Sequence, residues 1–492
     1  MTTVAINLSQ AALDNLAAHR AQYGADTLAS WFDQFIKAGY RFAADHYYYD
    51  SIALTPPTGT LTYADGARQT FTGLALDTPG AASGSYTAAT LEDTVPNGYR
   101  LLYEGQLKFG YTTTPANGVA MSNQGGQVAA ITLQTMAPAG GAQYDNILGN
   151  TTATVRGALV SDGQRFSGAV GALEARADKF LVSSGITGGF QVSGDAVAIG
   201  QNTAGTTVGG TLATFAQRYA DGSAIDVRGA LAVTGDTVFD ERVLSNAAHF
   251  SGNDDISVTL PATLATPWVV MSGEGDDKVT LTGGGIQLSV YAGNGDDTVV
   301  LGNHNHAVDG GAGLDTVIAA GGRGAYAIAA RAGGGYMLTS LAGGGADTLA
   351  GVERLTLDDA SIALDIDGSG GQAYRLYQAA FDRAPDSAGL GYWIKMMDNG
   401  LAQREVARHF AASAEFQELY GVRLSNSELV NSFYRNALHR EPDQAGYEYW
   451  LDVLNRKLVT AADMLAMFSE SPENQHAMAA VIGNGFAYTP YG

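Results

Sequence analysis

One short sequence pattern occurs three times between Ser272 and Val317, and it limits the possible folds more than any other feature. Each copy places two or three glycines before an Asp, which is followed by one further residue and a Val. The copies are Ser272–Val279, Ala292–Val299 and Gly310–Val317. The distance from one start to the next equals about two units of nine residues. It predicts a coiled chain of tight turns and very short strands, with alternate turns stacked on one edge.

The residue types in the pattern predict a metal site on that edge. Glycine adopts the positive φ angles of tight turns and lets backbones approach closely. Asp supplies carboxylate oxygen, and calcium takes about six to eight oxygen ligands, so we expect two stacked turns to share each ion. The Val of each copy is expected to point into a narrow core. The candidate metal-site residues are Gly273, Gly275, Asp276, Asp277, Gly293, Gly295, Asp296, Asp297, Gly311, Gly313 and Asp315.

The pattern resembles the nonapeptide of RTX (repeats-in-toxin) proteins. Asp277, Asp297 and Asp315 match its ligand position, and the Val two residues later matches its apolar position. The resemblance implies a short parallel β-roll with calcium as the ligand. It also implies export by a type I exporter of a Gram-negative bacterium, followed by a secreted or cell-surface location. The expected partners are calcium ions and either cell-surface or matrix components or further copies of the chain.

The turns that flank the three copies depart from the pattern. In the unit Gly302–Val308, His306 stands where Asp is expected. We therefore expect one calcium-bearing edge and one mostly dry edge. Upstream, Ser251–Leu260 aligns with the first copy without gaps and puts Ile256 at the Asp position, so we interpret this segment as a cap.

Composition and charge exclude several classes of protein. The net charge of -22 and the pI of about 4.6 disfavour nucleic acid and anionic membrane surfaces as partners. The absence of Cys excludes disulfides and thiolate metal sites. No apolar stretch is long enough to span a bilayer, so we expect no transmembrane segment. Residues 1–10 lack the basic and apolar regions of a secretory signal peptide.

We expect a multidomain, mainly β protein with α-helical ends. Ser9 is a candidate N-cap for a first helix, and Asp65-Gly66 between two β-prone runs predicts a hairpin. For the β-rich middle, the sequence leaves a sandwich and an irregular solenoid open. The predicted regions are an N-terminal α+β domain and candidate binding module at 1–150, a β-rich domain at 151–250, the β-roll and its flank at 251–365, and an all-α domain with an export signal at 366–492.

A second repeat fills the last quarter of the chain. Seven residues, Tyr377, Arg383, Pro385, Asp386, Gly389, Tyr392 and Trp393, recur at one constant offset as Tyr434, Arg440, Pro442, Asp443, Gly446, Tyr449 and Trp450. Each copy predicts a helix, an RxPD turn whose Asp caps the next helix, and that helix. The pattern resembles an uncharacterised helical domain that often follows RTX repeats in surface-associated and S-layer-type bacterial proteins. We interpret the Arg as an intramolecular brace to a carboxylate.

These patterns predict a secreted calcium-binding structural or adhesive protein that folds on calcium after export, and not an enzyme. The GxSxG, HExxH and GxxxxGK[ST] motifs are absent, and no catalytic residue is assigned. Paired carboxylates have no short signature, so a polysaccharide-active enzyme stays an alternative. A haem- or ligand-binding protein is another, because His46 and Tyr48 lie in an aromatic cluster of the N-terminal domain.

Overall fold

The computed structural model describes two compact units, which are treated separately. The first comprises Met1–Leu264 with Met271–Gly273, and the second comprises Ala265–Val270 with Glu274–Gly492. Within them, the structure describes residues 2–23, 42, 49–80, 82–96, 98–114, 118–135, 151–162, 165–177, 181–195, 207–234, 236–238, 241–261, 267–283, 288–302, 305–343, 345–421 and 424–491. Strands dominate this part of the chain, and eight of its nine α-helices lie between Ser369 and Ile482. A mainly β protein with a helical C-terminal region is therefore confirmed.

The first unit is a long antiparallel meander. Its strands are β1 (Thr3–Asn7), β2 (Ser51–Thr55), β3 (Thr58–Thr62), β4 (Arg68–Thr72), β5 (Ala75–Thr78), β6 (Ser83–Thr94), β7 (Tyr99–Thr114), β8 (Gly118–Thr135), β9 (Thr151–Ser161), β10 (Arg165–Ala177), β11 (Leu181–Asp195), β12 (Thr207–Tyr219), β13 (Ala224–Thr234) and β14 (Asp255–Thr259). From β6 to β13, each strand pairs with the next. The unit also contains helix α1 (Gln10–Tyr23) and two 3-10 helices, Glu241–Ser245 and Ala247–His249.

Strand β1 joins the end of the meander to β14, because every second residue is apolar on all three strands. It runs antiparallel to β13 and parallel to β14. Val4 pairs with Val227 on one side and with Ile256 on the other, and all three side chains are at most 1% exposed. This alternation is typical of strands with one face in the core.

Two local predictions in the first unit are confirmed. The Ser9 hydroxyl accepts a hydrogen bond from the N–H of Ala12 at 3.0 Å, so Ser9 caps α1. Strands β3 and β4 form an antiparallel hairpin around Gly66, whose φ is 83°. The turn between β12 and β13 uses the same sequence, with Gly222 at φ 88°. The β-rich middle is thus a meander of hairpins.

The second unit begins with two stacks of short parallel strands. The strands that follow β14 are β15 (Trp268–Glu274), β16 (Lys278–Thr282), β17 (Leu288–Asn294), β18 (Thr298–Leu301), β19 (Ala307–Ala312), β20 (Thr316–Ala319), β21 (Tyr326–Ala330), β22 (Tyr336–Ser340), β23 (Ala346–Ala350), β24 (Arg354–Thr356), β25 (Ser361–Ala363) and β26 (Phe486–Tyr488). A 3-10 helix, Arg323–Ala325, precedes β21. The first stack is β16, β18, β20 and β24, and the second contains β17, β19 and β23.

The stacks form because apolar residues recur at the same place in each coil. Val279, Val299 and Val317 are at most 2% exposed, which confirms the predicted apolar positions. An antiparallel hairpin of β21 and β22 interrupts the alternation between the stacks and pairs with β23. The first stack continues through the antiparallel strands β25 and β26.

The helical region is a duplication of four helices. Its helices are α2 (Ser369–Phe381), α3 (Ser387–Asp398), α4 (Gln403–Ala411), α5 (Ala414–Tyr420), α6 (Asn426–Leu438), α7 (Gln444–Asn455), α8 (Ala461–Ser469) and α9 (Pro472–Ile482). Helices α2 to α5 correspond in order to α6 to α9. Equivalent helices contact each other, α2 against α6 and α4 against α8. The repeat is therefore longer than the predicted helix, turn and helix.

The predicted caps occur in both copies of this repeat. Asp386 accepts a hydrogen bond from the N–H of Gly389 at 2.7 Å, and Asp443 accepts one from Gly446 at 2.9 Å. A Cβ on Gly389 would lie 2.5 Å from the hydroxyl oxygen of Tyr377, so glycine is the residue that fits under that ring.

The Arg of each RxPD turn is an intramolecular brace, as predicted, although its main partner is a Glu outside the turn. Arg440 donates to both carboxylate oxygens of Glu473 at 2.6 and 2.9 Å. Its guanidinium also lies 4.9 Å from the centre of the Tyr434 ring. Arg383 bonds Glu415 in the same way in the first copy. These pairs fix the turns to the last helix of each copy.

The predicted division into four regions stays a prediction. The structure groups the parallel stacks and the helices in one compact unit and the antiparallel meander in the other. Among the described helices, none combines the length and apolar character needed to cross a bilayer.

Candidate metal centre

Three Asp side chains of the sequence pattern form a row, which we call the carboxylate row. Asp277, Asp297 and Asp315 each directly precede a strand of the first stack. The parallel register aligns the first residues of β16, β18 and β20, so the preceding Asp residues lie side by side. Each is 2% exposed. The structure therefore brings the three predicted ligand residues together on one edge.

Hydrogen bonds between neighbouring turns use one carboxylate oxygen of Asp297 and one of Asp315. The N–H of Asp277 donates to Oδ1 of Asp297 at 2.8 Å, and the N–H of Asp297 donates to Oδ1 of Asp315 at 2.9 Å. Among the described residues, Oδ2 of Asp297 and Oδ2 of Asp315 are buried and have no hydrogen-bond partner. A buried carboxylate oxygen without a partner is costly. These two oxygens are therefore candidate ligands of a cation.

Burial disfavours the charged form of two carboxylates in this row, Asp297 and Asp315. It raises the pKa of Asp297 to about 6, against the lowering effect of the hydrogen bond from the Asp277 N–H. Burial likewise raises the pKa of Asp315 to about 6, and the neighbouring charges of Asp297 and Asp296 add to the rise. A nearby cation has the opposite effect, since it favours the charged carboxylate.

A second, exposed pair of carboxylates lies beside the row. Asp296 donates its N–H to Oδ1 of Asp276, and Leu314 donates its N–H to Oδ1 of Asp296, both at 2.9 Å. These bonds run in the opposite direction along the stack from those of the inner row. The third copy has Leu314 at this position, so the outer pair ends at Asp296.

The pattern glycines allow the turns to stack at backbone contact. All of them have positive φ: Gly273, Gly275, Gly293, Gly295, Gly311 and Gly313. A Cβ on Gly295 would lie 2.2 Å from the carbonyl oxygen of Gly275. A Cβ on Gly313 would lie 2.0 Å from the carbonyl oxygen of Gly295. The turns thus place a main-chain oxygen of one coil directly against the glycine of the next coil, along the same edge as the carboxylate row.

Sequence reasoning missed two buried or partly buried carboxylates in this region. Glu353 accepts a hydrogen bond from the N–H of Asp315 at 2.8 Å and so continues the row. On the second stack, Asp347 is fully buried and accepts a bond from the N–H of His306 at 2.9 Å. The second edge therefore carries a carboxylate too. Asp347-Thr348-Leu349 repeats the order of Asp315-Thr316-Val317, which is the signal that could have identified it.

The ungapped alignment of Ser251–Leu260 is wrong at the Asp position. Ile256 lies inside β14 and is fully buried as a core residue. The buried carboxylate is Asp254, two residues earlier, which accepts a hydrogen bond from the N–H of Thr2. The segment lacks a glycine next to the acidic pair, so the alignment slipped by two residues.

The donor set determines which metal could bind. Within the described ranges, no group of three or more His, Asp or Glu side chains is arranged to hold a metal ion on its own. A cation at the row would therefore also need main-chain or water oxygens. Oxygen-only sites of this kind suit calcium. His46 and Tyr48 lie outside the described residues, so haem binding there stays a prediction.

A protein-family model matches the helical region. Residues 372–408 and 407–478 match a family described as "Domain of unknown function (DUF4214)". The first match starts in α2 and the second ends in α9, so together they span the duplicated helices. The matched residues make up less than half of the chain. A search of curated proteins found no match.

Proposed function

We propose that the two strand stacks are a parallel β-roll of the RTX type that binds calcium through Asp277, Asp297 and Asp315. We further propose that the protein is a secreted structural or adhesive component of a bacterial cell surface or matrix. One observation carries the proposal: the buried row contains two carboxylate oxygens without a hydrogen-bond partner among the described residues, at the oxygens of Asp297 and Asp315.

The residues present fit a calcium ion by their chemistry. Calcium would supply positive charge between carboxylates that otherwise repel one another across neighbouring turns. Asp297 and Asp315 already donate and accept along the stack through N–H and Oδ1, which leaves Oδ2 for a cation. The glycine turns place carbonyl oxygens on the same edge, and the buried Val residues anchor the strands behind them.

This chemistry links folding to the calcium concentration. At low calcium, repulsion within the row favours the unfolded chain, which is the form that a type I exporter carries. Outside the cell, a bound ion stabilises the folded unit by about 2.7 kcal/mol at a free concentration roughly a hundredfold above Kd. Extracellular calcium modules typically have Kd values on the order of 10⁻⁴ to 10⁻³ M. Coupling between neighbouring sites would add to this modest gain.

Calcium titration of the full chain tests the proposal. We expect calcium to increase β-type circular dichroism and the melting temperature, and a chelator to reverse both. Asp297→Asn should weaken this response because it removes one charge while keeping an acceptor for the Asp277 N–H. The matched control is Asp452→Asn, an exposed position on α7 that should respond like the wild type. Unchanged spectra and melting on calcium addition would refute the proposal.

The structural role has its own test. A protein that assembles a surface layer or matrix should scatter light more strongly when calcium is added, because folded copies associate. Light scattering that stays at the monomer value at every calcium concentration would rule out self-assembly. The structural role would then be adhesion to another molecule. Binding of the folded chain to isolated cell-surface material would then be measured with and without chelator.

A further inference from the structure

The carboxylate row has a fourth member that the repeat pattern does not contain. Thr316 pairs with Arg354 in the parallel register, so the preceding residues Asp315 and Glu353 lie opposite each other. The N–H of Asp315 donates to Oε2 of Glu353 at 2.8 Å. The N–H groups of Glu353 and Arg354 donate to the carbonyl oxygen of Asp315 at 3.1 and 3.0 Å. Glu353 thus repeats the bonding by which Asp297 and Asp315 hold the turn before them.

Two further oxygens converge beside this pair. A Cβ on Gly310 would lie 2.1 Å from the carbonyl oxygen of Gly351 and 2.6 Å from Oδ2 of Asp315. Both oxygens therefore border the small space that the missing side chain leaves. Asp315 is 2% exposed, and its Oδ2 has no hydrogen-bond partner among the described residues. An unsatisfied buried carboxylate oxygen thus faces a main-chain oxygen of the next coil.

The cationic side chain that follows Glu353 in the sequence, Arg354, is already bonded to two other carboxylates. Arg354 donates to both carboxylate oxygens of Asp398 at 2.8 and 2.9 Å and also bonds Asp365. One positive charge is shared by two carboxylates, so this cluster has a net negative charge. Burial raises the pKa of Glu353, and the charge of Asp315 adds to the rise. The positive charge of Arg354, which acts against this rise, is thus shared with Asp365 and Asp398.

We propose that Glu353 and Asp315, together with the carbonyl oxygen of Gly351, hold a separate calcium ion at the end of the carboxylate row. The inference rests on the proposed calcium-binding function and adds a ligand and a site to it. The ion would lie next to Arg354, whose side chain bonds Asp398 on α3. This site would therefore stabilise the strand stack where it joins the helices.

Calcium stoichiometry tests the site. Isothermal titration calorimetry on the full chain would compare the wild type with Glu353→Gln, in which the amide oxygen can still accept the Asp315 N–H. We expect Glu353→Gln to bind one calcium ion fewer than the wild type, while the other sites of the carboxylate row still bind calcium. Glu448→Gln, the same change at an exposed position on α7, should bind as many ions as the wild type. Circular dichroism at saturating calcium checks that the variants fold alike.

The outcomes separate the two proposals. If the wild type binds no calcium, the proposed function fails. If the wild type binds calcium and Glu353→Gln binds the same number of ions equally tightly, only the terminal site fails. Loss of every ion in Glu353→Gln would also overturn it, because a separate site cannot account for that result. If Glu353→Gln does not fold, Glu353→Asp replaces it, because this variant keeps the charge and shortens the side chain. We expect Glu353→Asp to bind one ion at least tenfold more weakly than the wild type. Unchanged affinity in that variant would overturn the site.

Discussion

Single glycines determine how closely the turns of the second unit approach one another. The carbonyl oxygens of Gly275 and Gly295 lie where the next glycine in the stack would carry its Cβ. A larger residue at these places would have to separate two coils and would also adopt a φ angle that L-residues avoid. The spacing of the carboxylate row therefore depends on the absence of side chains beside it.

Gly313→Ala should destabilise the second unit. Its φ of 147° alone costs about 1–3 kcal/mol for a residue with a Cβ. The contact with the Gly295 carbonyl oxygen at 2.0 Å adds to that cost. Gly324→Ala is the control, because a Cβ there meets nothing within 4 Å and should change stability by about 0.5 kcal/mol or less. Urea unfolding at one saturating calcium concentration measures both, and equal midpoints for the two variants would contradict the stacking argument.

Asp463 should give the helices a defined acid sensitivity. The hydrogen bond from Arg404 is the largest cause that lowers its pKa to about 2, below the ordinary value of 3.8. Because the folded-state pKa is depressed, the stability that Asp463 contributes is complete above pH 3.8 and is lost as the pH falls through about 2.

The wild type should therefore exceed Asp463→Asn in unfolding free energy by a constant amount from pH 8 to about 5, and the difference should shrink between about pH 4 and pH 2. Urea unfolding at each pH measures it. A difference that persists at pH 2 would show that the charge of Asp463 is not its cause.

At the residue scale, spacing alone predicted part of the site. The regular intervals between the three copies set the register, so Asp277, Asp297 and Asp315 could be placed in one row from the sequence. Glu353 could not, because the hairpin of β21 and β22 separates it from Asp315 by a much longer stretch of chain. The hydrogen bonds from the turn N–H groups to these carboxylates could not be predicted either, because the direction of each N–H depends on the backbone angles of its turn.

At the scale of elements, one side chain connects strand β24 to the helices. Arg354 reaches Asp398 on α3, Asp365 before α2, and the hydroxyl of Ser369 at the start of α2. The side chains of Arg354, Asp365 and Asp398 are 6–8% exposed. Removing one partner of such a group leaves buried charge without compensation.

Arg354→Ala should therefore cost about 3–5 kcal/mol of unfolding free energy, because two buried carboxylates lose their cation. Arg440→Ala removes an Arg from a pair whose side chains are 39% and 44% exposed, and should cost about 1 kcal/mol or less. Urea unfolding at one saturating calcium concentration, monitored by tryptophan fluorescence, compares the two. Similar losses in both variants would argue against burial as the source of the difference.

Comparing the sequence with itself at one fixed offset detects only the first half of the helical repeat. Helices α2 and α3 recur at the offset of the identical residues, whereas α4 and α5 recur one position later, so a single insertion hides the second half of the repeat. The identical residues that gave the prediction cluster at the RxPD turn because capping, bracing and close packing under a Tyr ring demand particular side chains. Helices α4 and α5 need only apolar faces, which many sequences supply.

At the scale of the whole molecule, the two compact units should respond differently to calcium. The carboxylate row lies in the second unit, and the first is an antiparallel meander without such a row among its described residues. Calorimetry should therefore resolve two transitions. Calcium should raise the temperature of one by roughly 5–10 °C per bound ion at about a hundredfold excess over Kd, and leave the other unchanged. A single transition, or an equal shift of both, would contradict this assignment.

The pairing of equivalent helices across the duplication has a consequence for assembly. Equivalent helices of the two four-helix copies contact each other, α2 against α6 and α4 against α8, as one surface of both subunits does in a twofold dimer. Because the two copies are on one chain, their association does not depend on protein concentration. Their sequences also need not stay identical. Arg375 bonds Glu470, whereas the corresponding positions of the opposite copies hold Ser432 and Ala412. Two identical chains would have to form this contact twice, whereas the single chain forms it on one side and a different contact on the other.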